Sequence, residues 1–420
     1  MMFKAVRTGA NIRSTFMKKI HEFVIFCLWV ITPYISPCQI VATSDFKTVT
    51  AVDIKTGAER TELYLPEIKG KRVALVANYA SMVDNRLLPD TLISLGINIV
   101  KIFAPEHGFE GVADAGASVK DGKYKNSQVN IISLYGEHNS PTADELNDVD
   151  IVLYDLQDVG VRFFTYVSTL HKIMESCAEN NKELIVLDRP DPNGYYVDGP
   201  VLDEKYKSMV GVDPVPIVYG MTPAEYAQML NGEKWLKGGE QCKLICIPIK
   251  NYSHKLLYQL PVKPSPNLPD MTSVYLYPSL GLFEGTVISV GRGTDMPFEV
   301  IGAPELTAAK FSFTPVTKPG ASHPPYEEQK CYGYNLKDFG NIMIKNYQKL
   351  YLFWLKATYS DYPDKTKFFN SYFTLLAGND ILQKQIMNGL SDDEIRKSWE
   401  PELSNFKIIR KKYLLYPDFK

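Results

Sequence analysis

The sequence lacks the features that mark several common classes of protein. Its 46 basic and 48 acidic residues leave a formal net charge of -2, and no strongly basic stretch occurs. Proteins that bind nucleic acid usually concentrate positive charge on one face, so a nucleic-acid partner is not indicated. Only six cysteines occur among 420 residues, and their scattered spacing is not that of a disulfide-rich scaffold. Internal repeats and low-complexity tracts are also absent.

Long apolar runs are scarce as well, and the most conspicuous one lies near the amino terminus. It spans residues 23–31, shortly after Lys18 and Lys19. A membrane-spanning helix needs roughly 20 apolar residues, whereas a signal peptide combines a positive patch with a shorter apolar core. The pattern predicts a signal peptide over residues 1–42 and an exported protein, periplasmic or secreted. Membrane attachment is expected only if this segment is retained.

From residue 72 onward, short apolar runs alternate with stretches of helical periodicity. Strands are predicted at residues 72–77, 97–103, 129–134, 150–154, 183–187 and 244–249, with helices at 87–95, at 166–180 and after Thr222. Alternation of this kind predicts a doubly wound parallel sheet, because right-handed crossovers place helices on both faces. We therefore predict a Rossmann-like α/β catalytic domain over residues 43–260.

The composition changes near residue 260. Four prolines lie within residues 261–269 and are followed by Tyr275, Tyr277 and Pro278. This segment predicts a linker or an extended arm rather than part of a core. Farther on, a strand at 311–313 and helices at 336–356 and within 371–388 predict a smaller α+β domain, which ends in a polar and basic carboxyl terminus. The arm and this auxiliary domain together span residues 261–420.

Three well-known functional loops are missing from the predicted sheet. The turn after the first strand reads Asn-Tyr-Ala-Ser at 78–81 and has no glycine, which close approach of the backbone to a pyrophosphate requires. Neither a Gly-Lys-Ser phosphate loop nor a Gly-x-Ser-x-Gly elbow occurs. The sequence therefore gives no indication of a nucleotide or a serine nucleophile, and we predict no cofactor.

What the sequence does contain is a set of acidic turns directly after predicted strands. Ala-Pro-Glu-His-Gly at 104–108, Asp-Leu-Gln-Asp at 155–158 and Asp-Arg-Pro-Asp at 188–191 each follow one strand. Because ligands bind outside the carboxyl ends of parallel strands, these turns should meet around one site. Carboxyl groups in such a site are suited to general acid–base chemistry, and Glu106 is the candidate acid.

Each of these motifs also has a structural interpretation that the sequence leaves open. Glu106 could pair with an arginine, Asp155 and Asp158 could belong to a rigid ion-pair network, and residues 188–194 could form a plain surface turn. A metal site built from Glu106, His107 and Asp155 lacks a ligand spacing such as His-x-x-x-His, so we predict no metal.

Five motifs in order closely resemble one known family, the exo-acting β-N-acetylmuramidases of the NamZ type. The resemblance covers roughly residues 60–420. The motifs are Ala-Pro-Glu-His-Gly-Phe-Glu-Gly at 104–111, Asp-Leu-Gln-Asp-Val-Gly-Val-Arg-Phe-Phe-Thr-Tyr at 155–166, Leu-Asp-Arg-Pro-Asp-Pro-Asn-Gly at 187–194, Pro-Ser-Pro-Asn-Leu-Pro at 264–269, and Phe-Glu-Gly-Thr with Gly-Arg-Gly-Thr-Asp-Met-Pro-Phe-Glu within 283–299.

This resemblance implies removal of single N-acetylmuramic acid residues from the non-reducing ends of peptidoglycan fragments. It also implies a Rossmann-like domain, a smaller carboxyl-terminal domain and a catalytic cleft between them. Glu106 is then the catalytic acid, and the second catalytic group is Asp155 or Glu284. The residues that match the family motifs and would bind substrate are Arg162, Tyr166, Asp188, Arg189, Asn193 and Arg292, to which the sequence pattern adds Asn78, His107 and Asp158.

N-acetylmuramic acid carries a lactyl carboxylate, which an arginine can grip with two hydrogen bonds. We expect Arg292, which lies between two glycines, or Arg189 to fill this role. The partner is thus a peptidoglycan-derived glycan or muropeptide, and no protein partner is predicted. Two alternatives are a muropeptide-binding protein without catalysis and a metal-dependent amide or ester hydrolase. In the turn at 78–81 only Asn78 matches the family, which usually reads Asn-Gln/Pro-Thr-Gly.

Overall fold

The computed structural model describes residues 48–49, 54–117, 119–125 and 127–419. The predicted signal peptide, residues 1–42, lies outside the described residues. Within the described ranges, every helix is either too short or too polar to cross a membrane.

A mainly parallel sheet forms the centre of the amino-terminal part. In the described part of the chain it has seven strands, namely β1 (Arg72–Ala77), β2 (Asn98–Ala104), β3 (Gly122–Lys123), β4 (Asn130–Ser133), β5 (Ile151–Asp155), β6 (Glu183–Leu187) and β7 (Lys243–Ile247). Their order is β7-β6-β5-β1-β2-β4-β3, and only the β3–β4 pair is antiparallel. The chain builds one half outward from β1 and then crosses to β5, which is the doubly wound order that the sequence predicts.

The six longer strands coincide with the predicted apolar runs to within two residues at either end. All five residues of β5 are buried, as expected for a parallel sheet with both faces covered. Its alternate side chains enter different cores: Ile151 and Leu153 pack on one face, and Val152 and Tyr154 on the other. This packing fixes the register of β5 and thus the place where the turn after it begins.

Helices cover both faces of this sheet. They are α1 (Thr61–Ile68), α2 (Leu88–Ser94), α3 (Ala143–Leu146), α4 (Tyr166–Glu179) and α5 (Pro223–Gly232). Before α5, the Thr222 side chain accepts from the Glu225 N–H and the Glu225 carboxylate accepts in return, so a reciprocal cap starts the helix where the sequence predicts it.

The proline-rich segment is not entirely the extended arm that we predicted. Its second half forms α6 (Met271–Leu280), and every residue from 272 to 280 is buried. The Asp270 carboxylate caps the helix by accepting two backbone N–H hydrogen bonds. The prediction was wrong for this half because α6 packs into the main core on all sides, so its sequence shows no polar face.

A proline inside α6 is tolerated because another residue compensates for it. Pro278 has no N–H to donate to the carbonyl oxygen of Val274, four residues earlier. The side-chain amide of Asn193 donates to that oxygen instead, at 3.2 Å, and also to the oxygen of Val159 at 2.9 Å. Asn193 thereby joins the turn after β6 to α6.

The carboxyl-terminal part is smaller and combines an antiparallel sheet with helices. Its strands β8 (Val300–Ala303), β9 (Phe311–Phe313) and β10 (Cys331–Asn335) pair in the order β8-β10-β9. The helices are α7 (Phe353–Asp361), α8 (Tyr372–Ala377), α9 (Ile381–Met387) and α10 (Asp392–Lys411). Short parallel or antiparallel pairs elsewhere join Thr48–Val49 to Leu257–Tyr258, Met82–Val83 to Arg86–Leu87, and Asp198–Val201 to Pro216–Val218.

Two helix predictions in this part need correction. The continuous helix predicted at 336–356 is interrupted: short helical turns occupy 337–347, and α7 begins only at Phe353. The backbone N–H of Leu350 in the intervening segment donates to Asp198 at 2.8 Å, which a helical N–H could not do. Likewise, the segment 371–388 contains two helices, since Gly378 ends the first with a φ of 75°.

The last helix, α10, was not predicted from the polar carboxyl terminus. Its buried positions are Ile395, Trp399, Leu403, Phe406 and Arg410, at spacings of three or four residues. The helical signal was therefore present, but it was confined to one narrow stripe.

Candidate active site

The sheet order brings four turns to one edge. Strands β6, β5, β1 and β2 are consecutive neighbours, so the turns that begin at Asp188, Leu156, Asn78 and Pro105 leave the sheet side by side. The reversal of strand order lies between β5 and β1, where ligands of such sheets usually bind.

A pocket of about 440 Å³ opens beside the turn that follows β2. Its wall combines residues of the sheet domain with residues of α6 and the carboxyl-terminal part, so the pocket lies between the two parts of the fold. Residues with polar or ionisable side chains in this wall are Glu106, His107, Tyr135, Thr165, Tyr166, Ser208, Ser265, Asn267, Tyr277, Glu284, Arg292 and Tyr372.

Glu106 is held through both carboxylate oxygens. The backbone N–H of Gly116 donates to Oε1 at 2.9 Å, and the hydroxyl of Thr165 donates to Oε2 at 2.6 Å. The Tyr135 hydroxyl also hydrogen-bonds to Glu106; burial, together with this carboxylate, raises the pKa of Tyr135. Glu106 is 9% exposed, so the carboxyl group lies in the wall with a fixed orientation.

His107 is neutral and has a defined tautomer. Its Nδ1 lies 2.7 Å from the carbonyl oxygen of Ala113, which can only accept, so Nδ1 carries the proton. Its Nε2 faces the hydroxyl of Ser265 at 3.4 Å. Burial lowers the pKa of His107 below its usual value, which leaves the imidazole uncharged at neutral pH. The backbone φ of 70° at His107 turns the chain sharply beside Glu106.

Arg292 and Glu284 form an ion pair in the pocket wall. Arg292 Nε donates to Glu284 Oε1 at 2.6 Å, and the guanidinium lies 5.1 Å from the centre of the Phe298 ring. Although burial opposes the charge, Glu284 raises the pKa of Arg292. Arg292 Nη1 is buried and has no hydrogen-bond partner among the described residues. A buried guanidinium N–H without a partner is suited to an anionic ligand.

Asp155 and Arg189 pair with each other outside the pocket wall. Arg189 donates to both oxygens of Asp155, at 2.6 and 2.8 Å, and to the carbonyl oxygen of Met82 at 3.0 Å. Burial raises the pKa of Asp155, and Arg189 opposes this effect. The arrangement is a desolvated ion pair that connects the end of β5 to the turn after β6, and Asp155 is fully buried outside the pocket wall.

Asp188 and Asn78 lie outside the pocket wall and hydrogen-bond to neighbouring parts of the fold. Asp188 accepts from the Ala224 N–H and the Thr222 hydroxyl, each at 2.9 Å, and thereby anchors the start of α5. Burial raises the pKa of Asp188 to about 7. The amide of Asn78 donates to the hydroxyl of Tyr166 at 2.9 Å, and Tyr166 itself faces the pocket.

Arg162 joins the two parts of the fold. Its guanidinium donates to the carbonyl oxygens of Pro200 and Val215, both at 2.8 Å, and of Leu376 in α8 at 2.9 Å. Burial without a carboxylate partner lowers the pKa of Arg162 to about 9. The side chain does not line the pocket. Both Nη atoms donate to backbone oxygens, whereas Nε has no hydrogen-bond partner among the described residues.

Asp158 is buried beside Gly160 and Tyr219. Its Oδ2 accepts from the Gly160 N–H at 2.7 Å and from the Tyr219 hydroxyl, whereas Oδ1 has no partner among the described side chains and backbone groups. Burial raises the pKa of Asp158 from 3.8 to about 6. The folded protein therefore retains a proton on Asp158 at a pH where the unfolded chain has lost it.

Replacement of Asp158 by Asn is expected to stabilise the protein increasingly as the pH rises. Above about pH 4 the unfolded chain releases its proton, so folding of the wild type becomes less favourable until about pH 6, whereas Asn stays neutral throughout. A shift of about two pKa units corresponds to about 3 kcal/mol at most. Urea unfolding of both proteins at pH 4.5 and pH 7.5 measures this difference. A difference in unfolding free energy that is the same at both pH values would contradict the prediction.

The structure thus separates the twelve residues singled out from the sequence into two groups. Five of them line the pocket: Glu106, His107, Tyr166, Glu284 and Arg292. The other seven lie outside its wall: Asn78, Asp155, Asp158, Arg162, Asp188, Arg189 and Asn193.

Sequence reasoning did not single out several other residues of the wall. Thr165, Ser265 and Asn267 lie within the family motifs at 155–166 and 264–269, so those motifs carry a signal for them. Tyr135 and Tyr372 have no comparable local signal, because distant parts of the chain bring them to the pocket. Among the residues that the structure describes, no group of three His, Cys, Asp or Glu side chains is placed to hold a metal ion.

The fold and the pocket define a class of protein. It is a two-domain α/β protein with a doubly wound sheet, and its cleft presents a carboxyl group held by a hydroxyl and a backbone N–H beside an arginine–carboxylate pair. Carboxyl groups in a cleft are the usual catalytic groups of glycoside hydrolases.

Comparison with known sequences identifies the family. The amino-terminal model of the exo-β-N-acetylmuramidase NamZ family matches residues 73–272, and the carboxyl-terminal model matches residues 275–416. The chain therefore belongs to this family of glycosidases, which confirms the resemblance seen in the motifs. Over 400 residues it is 36% identical to the peptidoglycan β-N-acetylmuramidase NamZ of Bacillus subtilis (strain 168); the match covers 89% of this chain and 95% of that protein.

Solved structures confirm the predicted fold class. A DUF1343 family protein from Bacteroides fragilis NCTC 9343 is 44% identical and superimposes with a TM-score of 0.80. A second DUF1343 family protein from the same organism is 29% identical, with a TM-score of 0.73. Each match covers 87% of this chain and 99% of the other.

Proposed function

We propose that the protein is an exo-acting glycosidase that releases N-acetylmuramic acid from the non-reducing ends of peptidoglycan fragments. The observation that carries this proposal is the placement of Glu106 and Arg292 in one pocket, the first held by two hydrogen-bond donors and the second with a buried N–H unpaired. Membership of the NamZ family and the similarity to a Bacillus peptidoglycan β-N-acetylmuramidase support the choice of substrate.

In this proposal Glu106 protonates the glycosidic oxygen as the bond to the sugar breaks. A second carboxylate then stabilises the oxocarbenium-like transition state or activates water. Of the two candidates for this role, Glu284 lines the pocket, whereas Asp155 is buried and paired with Arg189. Glu284 is therefore the better candidate for the second catalytic group.

Arg292 is the proposed anchor of the lactyl carboxylate. Arg189, the other candidate, has Nε and Nη2 engaged by Asp155 and by a backbone oxygen. Arg292 donates to Glu284 through Nε and keeps Nη1 for a ligand. Such a contact would favour N-acetylmuramic acid over N-acetylglucosamine, which has no carboxylate.

We also propose the domain limits and the location of the protein. Residues 43–260 form the catalytic domain, and residues 261–420 form the segment and auxiliary domain that complete the cleft; α6 of that segment contributes Tyr277 to the pocket. Export to the periplasm or the medium, directed by residues 1–42, would bring the enzyme to peptidoglycan.

The proposal is tested with the purified protein and two chromogenic substrates, a β-N-acetylmuramide and the matching β-N-acetylglucosaminide. We expect turnover of the first and little of the second, together with release of free N-acetylmuramic acid from oligosaccharides that begin with this sugar. Binding of these ligands without product would indicate a non-catalytic muropeptide-binding protein. Loss of activity with a chelator would instead indicate a metal-dependent hydrolase.

A further inference from the structure

Thr165 does not form the capping hydrogen bond that its position at the start of α4 predicts. It is the N-cap residue of α4, where a threonine side chain usually accepts from a backbone N–H of the first turn. The Thr165 side chain makes no such hydrogen bond within the described chain, and its backbone is helical, with φ -64° and ψ -8°. The hydroxyl donates to Glu106 Oε2 instead. The helix therefore lacks a capping hydrogen bond that typically stabilises a protein by about 1 kcal/mol, and the hydroxyl contacts the pocket carboxylate instead.

The two oxygens of Glu106 face different kinds of partner. The Gly116 N–H at Oε1 can only donate. A carboxyl proton on the side of Oε1 that faces this N–H would therefore be repelled by the amide hydrogen. The Thr165 hydroxyl at Oε2 can rotate and either donate or accept. Oε2 is therefore the oxygen better placed to carry the proton of the neutral acid, and the Tyr135 hydroxyl is a further hydrogen-bond partner of the same carboxyl group. Thr165 is 8% exposed, which keeps bulk water from taking the place of its hydroxyl.

We propose that Thr165 is a positioning residue that makes Oε2 the proton-donating oxygen of Glu106 and stabilises the carboxylate formed when the proton leaves. This inference rests on the proposed function. As the Oε2–H bond breaks, its electron pair stays on Oε2 and the proton goes to the glycosidic oxygen. The Thr165 hydroxyl then donates to a charged oxygen, and such a hydrogen bond is stronger than one to a neutral acid. Because the bond strengthens as charge develops, it lowers the barrier.

The test compares Thr165→Val, which keeps the shape and removes the hydroxyl, with Thr165→Ser, which restores it. For a disaccharide that begins with N-acetylmuramic acid, whose leaving group needs a proton, we expect kcat of the valine variant to fall about 10- to 100-fold, with KM nearly unchanged and with serine close to wild type. A loss that is confined to kcat and that serine restores distinguishes a hydroxyl acting on Glu106 from a purely structural role.

Thr169→Val is the matched control. Thr169 lies one turn further along α4, is 2% exposed, and donates through its hydroxyl to the carbonyl oxygen of Thr165 at 3.3 Å, outside the pocket wall. Wild-type kcat in Thr165→Val would overturn the inference, as would equal losses in both valine variants. Thr165→Ala is the second variant if valine disturbs folding as judged by circular dichroism. Absence of turnover by the wild type would overturn the proposed function itself.

Discussion

Replacement of Glu106 by Gln is expected to lower kcat by about 10²- to 10⁴-fold on an N-acetylmuramic acid-containing disaccharide, the range that a general acid contributes. The loss should be smaller on a nitrophenyl β-N-acetylmuramide, because nitrophenolate leaves with little help from an acid. This dependence on the leaving group separates loss of a proton donor from general damage to the pocket. Steady-state kinetics on the two substrates give the measurement.

The fold of this variant should be intact. A glutamine oxygen can accept from the Gly116 N–H as Oε1 does, and its amide can donate to the Thr165 hydroxyl, which rotates to accept. Glu110→Gln is the matched control, since Glu110 lies four residues further along the same turn and is exposed. Turnover of the disaccharide by Glu106→Gln at the rate of the control would remove Glu106 from the mechanism.

The strands of the sheet could be predicted from the sequence because their signal is local. A run of four to seven apolar residues that ends at a proline or an acidic residue identifies a buried strand without any knowledge of its neighbours. The alternation of such runs with helices then limits the topology to a doubly wound sheet. Convergence of the acidic turns at one edge follows from that topology, since parallel strands end together.

Which side chains face the pocket could not be predicted in the same way. Asp155 ends one strand of the sheet and Glu106 follows another, yet only Glu106 enters the pocket wall. The difference is made by Arg189, which lies 34 residues after Asp155 in the chain and engages both of its oxygens. Arg162 is separated by 214 residues from Leu376, whose carbonyl oxygen it binds. Such pairings depend on the assembled fold and leave no local trace in the sequence.

For α6 the prediction failed for the opposite reason. The local sequence signal predicts an extended arm, but packing in the assembled fold stabilises a helix. Prolines and tyrosines after residue 260 predict an extended arm, and Pro278 alone would argue against a helix. Burial on all sides and the amide of Asn193 at the carbonyl oxygen of Val274 stabilise the helix nevertheless. We predicted that Asn193 binds substrate, whereas its side-chain amide hydrogen-bonds to backbone oxygens of the protein itself.

Replacement of Arg292 by Met is expected to raise KM for a β-N-acetylmuramide strongly while leaving kcat for bound substrate much less affected. Removing one member of a desolvated charge pair costs about 2–5 kcal/mol, which corresponds to about 30- to several thousand-fold in affinity. The preference for the N-acetylmuramide over the N-acetylglucosaminide should fall as well, because only the N-acetylmuramide has a carboxylate that Arg292 can bind. Competition by free N-acetylmuramic acid and by N-acetylglucosamine measures this preference directly.

Two further variants show whether this loss comes from the ligand carboxylate. Arg292→Met leaves Glu284 without its partner, so Glu284→Gln combined with Arg292→Met removes that unpaired charge and should show the same loss of preference. Because Glu284 is the proposed second catalytic group, the preference of this double variant is measured by direct binding of the two sugars, for example by titration calorimetry. Arg189→Met should behave differently: it leaves Asp155 buried and uncompensated, at a cost of about 3–5 kcal/mol in the free energy of unfolding. A protein with Arg292→Met that still prefers N-acetylmuramic acid would show that another group binds the lactyl carboxylate.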